Sequence, residues 1–172
     1  MSDTTFRDPF IDYMHQQMTI SEKSEGGYRL WTQIKRDFRN VYTANGDVAC
    51  YVHFLNANVS LHDGYPYEVR KLIGFMYAKQ IIALKGGVSL GTAMKNCDRN
   101  EKAVNALVAS NKIRLISELK NMVSLFASKD VKLDAYRLTL NLFAWESQER
   151  HATNHNWIRK AIVTDYCRRN NE

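Results

Sequence analysis

The sequence predicts an all-α protein, a bundle of about six to eight helices behind an acidic N-terminal segment. Three observations predict it. Apolar residues recur at three- and four-residue spacing through most of the chain from Tyr28 onward. Breakers are scarce, with two Pro and eight Gly in 172 residues. Hydrophobic residues make up 45% of the chain, enough for a core and too many for a disordered polypeptide.

The elements follow in order. Residues 1–26 are polar and mixed, and "ISEKSEGG" reads as a flexible joint, so the expected division is an acidic extension over 1–26 and a helical domain over 27–172. "YRLWTQIKRDFRNVY" spaces Leu30, Ile34, Phe38 and Val41 as one helical stripe, with Lys35, Arg36 and Arg39 beside it. "TANGD" reads as a turn from its Asn-Gly pair. "VACYVHFLNANVSL" fits a strand by composition and a helix by length. Pro66 suits the first turn of the next helix, which runs on to Lys85 with Val69, Leu72, Ile73 and Met76 inward. Ser89 is a candidate cap for "SLGTAMKNC", and Asp98 or Asn100 for the helix after it, where Val104, Leu107 and Val108 share a face. "KIRLISELKNMVSLFAS" turns Leu115, Leu119, Met122, Val123 and Phe126 one way and Lys112 and Lys120 the other. The segment after Asp134 alternates like a strand at Leu138, Leu140 and Leu142. Tyr136, Leu140 and Phe143 fit a helix, and the cap at Asp134 favours it. In the last segment Trp157, Ala161, Val163 or Thr164, and Cys167 are expected inward.

Charge is uneven. The formal net charge is +6, yet residues 1–26 hold two basic and five acidic side chains, a net −3, so the other 146 residues carry +9. A body of that sign suits a polyanion such as nucleic acid. The longest apolar run, Leu72 to Leu84, is too short to span a bilayer, so no membrane role is expected. The first residues lack the pattern of an export signal, and Cys50, Cys97 and Cys167 are odd in number and scattered. Both features read as reduced thiols in a cytoplasmic protein.

Motifs exclude more than they assign. Gly86 and Gly91 are spaced like a phosphate loop, but Thr92 and Ala93 stand where Lys and Ser/Thr are required. They read as a connector, with Gly91 permitting close helix packing. His151 and His155 lie one helical turn apart without the further ligands a zinc site needs. No catalytic motif and no cofactor motif is present. A helix-turn-helix regulator is the alternative, built from "SLGTAMK", "NCDR" and "NEKAVNALVAS", although that second helix is mostly apolar.

"GGVSLGTAMKNCDRNEKAVNALVASNK" followed by "ELKNMVSLFASKDVKLDAYRLTLNLFAW" resembles CasB, the small subunit of the type I-E CRISPR surveillance complex Cascade. The shared pattern lies in Gly87, Ser89, Leu90, Gly91, Ala93, Met94, Asn96, Asn100, Glu101, Lys102, Leu133, Asp134 and Trp145. "TQIKRDFRN" is similar to the family's early basic helix. The resemblance implies a non-enzymatic helical subunit beside the backbone and large subunits, usually with a second copy of itself. It implies contact with crRNA and with target and non-target DNA, so that the R-loop persists while guide pairing reads sequence. On the same resemblance, Lys35, Arg36, Lys102, Lys112, Lys120 and Arg150 match basic positions. Ala103, Asn121, Ser147 and Gln148 stand where the family is basic. Lys85, Arg159, Lys160, Arg168 and Arg169 are candidate substitutes.

Overall fold

The computed structural model describes residues 7–59, 64–83, 85–150 and 156–168, the side chains of 146–150 excepted. The chain forms two compact units, Met1–Gln80 and Ile81–Glu172. Among the described residues it is helical but for two short strands, as the periodicity predicts.

The first unit holds α1 (Pro9–Ser21), α2 (Glu25–Arg39), α3 (Ala44–Asn56) and α4 (Tyr65–Ala78). Helix α2 is central and packs on the other three. Residues 9–21 are ordered here as α1, with Phe10, Ile11 and Met14 fully buried. Asp8 explains why. Its carboxylate accepts from the Phe10 and Ile11 amides as a cap, and takes a 2.9 Å ion pair from Arg70 on α4. Phe10, Phe38 and Phe54 then meet with ring centroids 5.1 to 5.7 Å apart, joining α1, α2 and α3. Gly74 lets α4 lie against this cluster, since a Cβ there would come 2.2 Å from the Phe38 ring.

Several local expectations are corrected. "SEGG" is not a joint but the start of α2, capped by Ser24. The buried stripe of α2 is Trp31, Ile34 and Phe38, and Leu30 is 45% exposed. "TANGD" is the beginning of α3: the Thr43 hydroxyl accepts from the Gly46 amide, and a side chain on Gly46 would strike the Asn40 carbonyl. The ambiguous segment after it is therefore helix. Helix α4 stops at Ala78, and Gln80 adopts a left-handed φ of 60°.

The second unit holds β1 (Ile82–Ala83), α5 (Leu90–Asn96), α6 (Glu101–Val108), α7 (Lys112–Ser128), β2 (Leu133–Asp134), α8 (Ala135–Arg150) and α9 (Trp157–Cys167). The strands pair in parallel, Ile82 with Leu133 and Ala83 with Asp134. That long-range ladder takes up the residues that periodicity alone would add to α4. Ser89, Asn100 and Asp134 serve the helix starts as expected: Thr92, Ala103 and Arg137 donate their amides to these side chains. The α8 core face is Ala135, Leu138, Leu142 and Trp145. Helix α9 packs on α5, α6 and α8 through Ile158 and Ile162. This reverses the expected facing, because Trp157 and Cys167 are exposed.

Candidate nucleic-acid interface

In the first unit the basic side chains of interest lie on α2. The buried stripe fixes its rotation and turns Arg29, Arg36 and Arg39 outward. Arg36 and Arg39 stand in its last turn, where the helix dipole favours cations. Arg36 donates to Gln33, and with Asn40, Thr43 and Asn45 it lines an open cleft of about 370 Å³ beside Asp37. Lys35 is half-buried, its ammonium 5.9 Å from the centroid of the Trp31 ring. Arg70 and Lys71 are held inside the unit. Arg70 meets Asp8, and Lys71 meets Asp47 at 2.9 Å and Glu68 at 3.4 Å.

In the second unit Lys85 is exposed after β1, and Lys102 is exposed in the first turn of α6. Lys112 opens α7 half-buried, and Lys120 is exposed eight residues later, about 12 Å along the axis. Arg150 ends α8, its side chain outside the described residues. Three further cations pair with carboxylates: Lys129 with Asp98, Lys132 with Asp130, and Arg137 with Asp165. Arg159 stacks 4.8 Å from the Trp145 ring centroid and donates to the Ser110 carbonyl. Lys160 is exposed on α9 and Arg168 at its C-cap, while Arg169, His151 and His155 lie outside the described residues. Lys35 and Arg36 are thus neighbours on one helix of the first unit, and Lys85, Lys102, Lys112 and Lys120 are spread over three elements of the second.

Two features escaped sequence reading. Tyr13, Asp37 and His53 converge from three helices: His53 Nε2 is 2.9 Å from Asp37 Oδ2, and Tyr13 OH is 3.3 Å from His53 Nδ1. Burial pushes the Tyr13 pKa up. The cluster joins α1, α2 and α3, and His53 and Asp37 have little solvent contact. The second feature is a stripe on α3. Val48, Tyr51, Val52 and Leu55 are all exposed, at the i, i+3, i+4, i+7 spacing of a single helix face. Their spacing was readable in the sequence, but their facing was not.

Two of the three thiols are muted. Burial, with the charges of Asp37 and Asp47, pushes the Cys50 thiol up to about 12, and burial also raises Cys97. Neither is a ready thiolate. Among the described residues no group of three His, Cys, Asp or Glu side chains is placed to hold a metal ion. No helix among them is long and apolar enough to cross a membrane. On the α6 face, Glu101, Lys102 and Asn105 are exposed beside the apolar Ala106, a small polar set for reading base edges.

The class is an all-α protein with outward basic side chains in both of its packed units. Within it, the family model described as CRISPR-associated protein Cse2 matches residues 67–166, more than half of the chain, and the chain belongs to that family. This is the CasB small-subunit family of the type I-E Cascade complex, as the motifs around Gly87 to Trp145 implied. No curated protein and no solved structure matches the chain.

Proposed function

We propose that the chain is a non-catalytic Cascade subunit whose basic helices hold nucleic-acid backbone and prolong the R-loop. Its partners on this reading are the backbone and large subunits, crRNA, target and non-target DNA, and a second copy of itself, in the cytoplasm. The carrying observation is the family match together with the outward cations of α2. Phosphates attract Lys and Arg with little regard for base sequence, and binding releases counterions. Guide pairing then supplies specificity, so the protein needs few base contacts. The uncharged α3 stripe supports a protein neighbour on that side, since contiguous exposed apolar side chains mark interfaces.

The test is R-loop lifetime on matched supercoiled DNA, measured with reconstituted Cascade across a salt series, with and without the chain. The chain should lengthen the lifetime. Lys35→Ala with Arg36→Ala should lose much of that gain, and should flatten the salt slope of binding by about one unit per lost phosphate contact. A chain that neither joins the complex nor changes the lifetime would overturn the reading.

A further inference from the structure

We propose that the outer face of α9 is a platform for unpaired nucleotides, on which Trp157 stacks a base while Lys160 and Arg168 meet the adjoining phosphates. The inference rests on the nucleic-acid reading above and adds a site and a mode of contact to it.

Its starting point is Trp157. The protein has three tryptophans. Trp31 and Trp145 are 7% and 1% exposed, whereas Trp157 is 51% exposed. Ile158 and Ile162 are buried one turn apart, and a Cβ on Gly91 would lie 2.1 Å from the Ile162 carbonyl. That close approach of α5 sets the rotation of α9 and leaves Trp157 outward. The same rotation exposes Lys160, Thr164 and Arg168. Trp157, Lys160 and Thr164 fall at i, i+3 and i+7, one line about 10 Å long, and Arg168 follows at the C-cap of the helix. An indole followed by a cation, a hydroxyl and a second cation suits a strand whose bases are free to stack and whose backbone is charged.

The neighbouring surface has the same sign. Val108, Asn156, Arg159, Lys160, Val163 and Thr164 line an open cleft of about 440 Å³, with two cations and no carboxylate. Arg159 is held in place by the Trp145 ring and the Ser110 carbonyl. Among the described residues its Nε is buried without a hydrogen-bond partner. Asp165, the acidic residue of α9, is held by Arg137 at 2.7 Å. A duplex keeps its bases stacked on each other and offers none to an indole, so this face distinguishes unpaired from paired strands.

The experiment uses the full chain with a twelve-nucleotide oligothymidylate and a duplex of equal length. Affinity and intrinsic tryptophan emission are read across a salt series. Wild type, Trp157→Ala, Trp157→Phe, Lys160→Ala and the Lys35→Ala/Arg36→Ala pair are compared. The single strand should quench wild-type emission, and the duplex should not. Trp157→Ala should abolish the quenching and weaken single-strand binding by at least about fivefold, with duplex binding unchanged. Trp157→Phe should keep most of the affinity, and Lys160→Ala should flatten the salt slope. If Trp157→Ala binds the single strand as wild type does while the α2 pair weakens it, the platform is wrong and the nucleic-acid reading stands. If Trp157→Ala binds the single strand as wild type does but no longer co-purifies with the larger Cascade subunits in a parallel pull-down, Trp157 is a protein contact and the platform is also wrong. If wild type binds neither probe at low salt, the nucleic-acid reading of the chain has failed along with it.

Discussion

Asp8 is 3% exposed, a carboxylate almost wholly withdrawn from water. Such a group is tolerable only when paired and hydrogen-bonded, and the Arg70 guanidinium with two α1 amides does both. Lys71 and Asp47 make a more open pair. Burial alone would raise the Asp47 pKa, but hydrogen bonds from Lys71 and Tyr67 hold it below its ordinary 3.8. Burial would likewise lower Lys71, and Asp47 and Glu68 more than reverse this. A depressed carboxylate stabilises the fold above its unfolded pKa and loses that stability as pH falls through the folded one. Acid should therefore lower the thermal midpoint below about pH 4, and Asp47→Asn should reduce that dependence in a pH series of melts. Gly91 carries a steric prediction. An alanine Cβ would meet backbone at Ile162, which cannot turn aside as a side chain could. Gly91→Ala should cost about 1–3 kcal/mol in denaturant unfolding.

At the scale of elements, capping residues were the most dependable signals. Ser89, Asn100 and Asp134 stand where their short side chains suggest, because a cap acts within three residues of itself. Helix faces were less legible. On α9 the apolar residues nearly encircle the helix, so the buried side depends on the neighbour, Gly91; on α2 they form one broad stripe, and the part of it that is buried meets Phe10 and Phe54. Thr43-Ala-Asn-Gly is compatible with a turn and with a helix start. The Asn40 carbonyl, which leaves no room for a side chain at Gly46, is part of the helix start. The end of α4 was illegible for a different reason. Gln80 has no intrinsic preference for a left-handed backbone, and the strand after it pairs with residues some fifty positions away.

On the scale of the whole molecule, basic side chains face outward in two units, and one uncharged stripe crosses α3. On the proposed function the chain needs both kinds of surface, one for phosphates and one for protein. The stripe yields a prediction that separates them. Val52→Lys puts a charge in its middle without touching the core. It should leave the melting temperature within a few degrees and sharply reduce co-purification with the larger Cascade subunits, measured by pull-down from a reconstituted mixture. Nucleic-acid affinity of the free chain should not fall.

Sequence by itself determined the helical class, the helix starts at Ser89, Asn100 and Asp134, the connector role of Gly86–Gly91 and the family, since each depends on spacing and on short motifs that act locally. Basic candidates could be named from it but not sorted. Arg70 and Lys71 look the same in sequence as Arg36 and Lys120, and only their surroundings distinguish an internal ion pair from an outward cation. Tertiary structure decided that sorting, the burial of α1, the meeting of Tyr13, Asp37 and His53, and the exposure of Trp157. Each of these is set by contacts between residues far apart in the chain, which a periodic pattern in one segment does not encode.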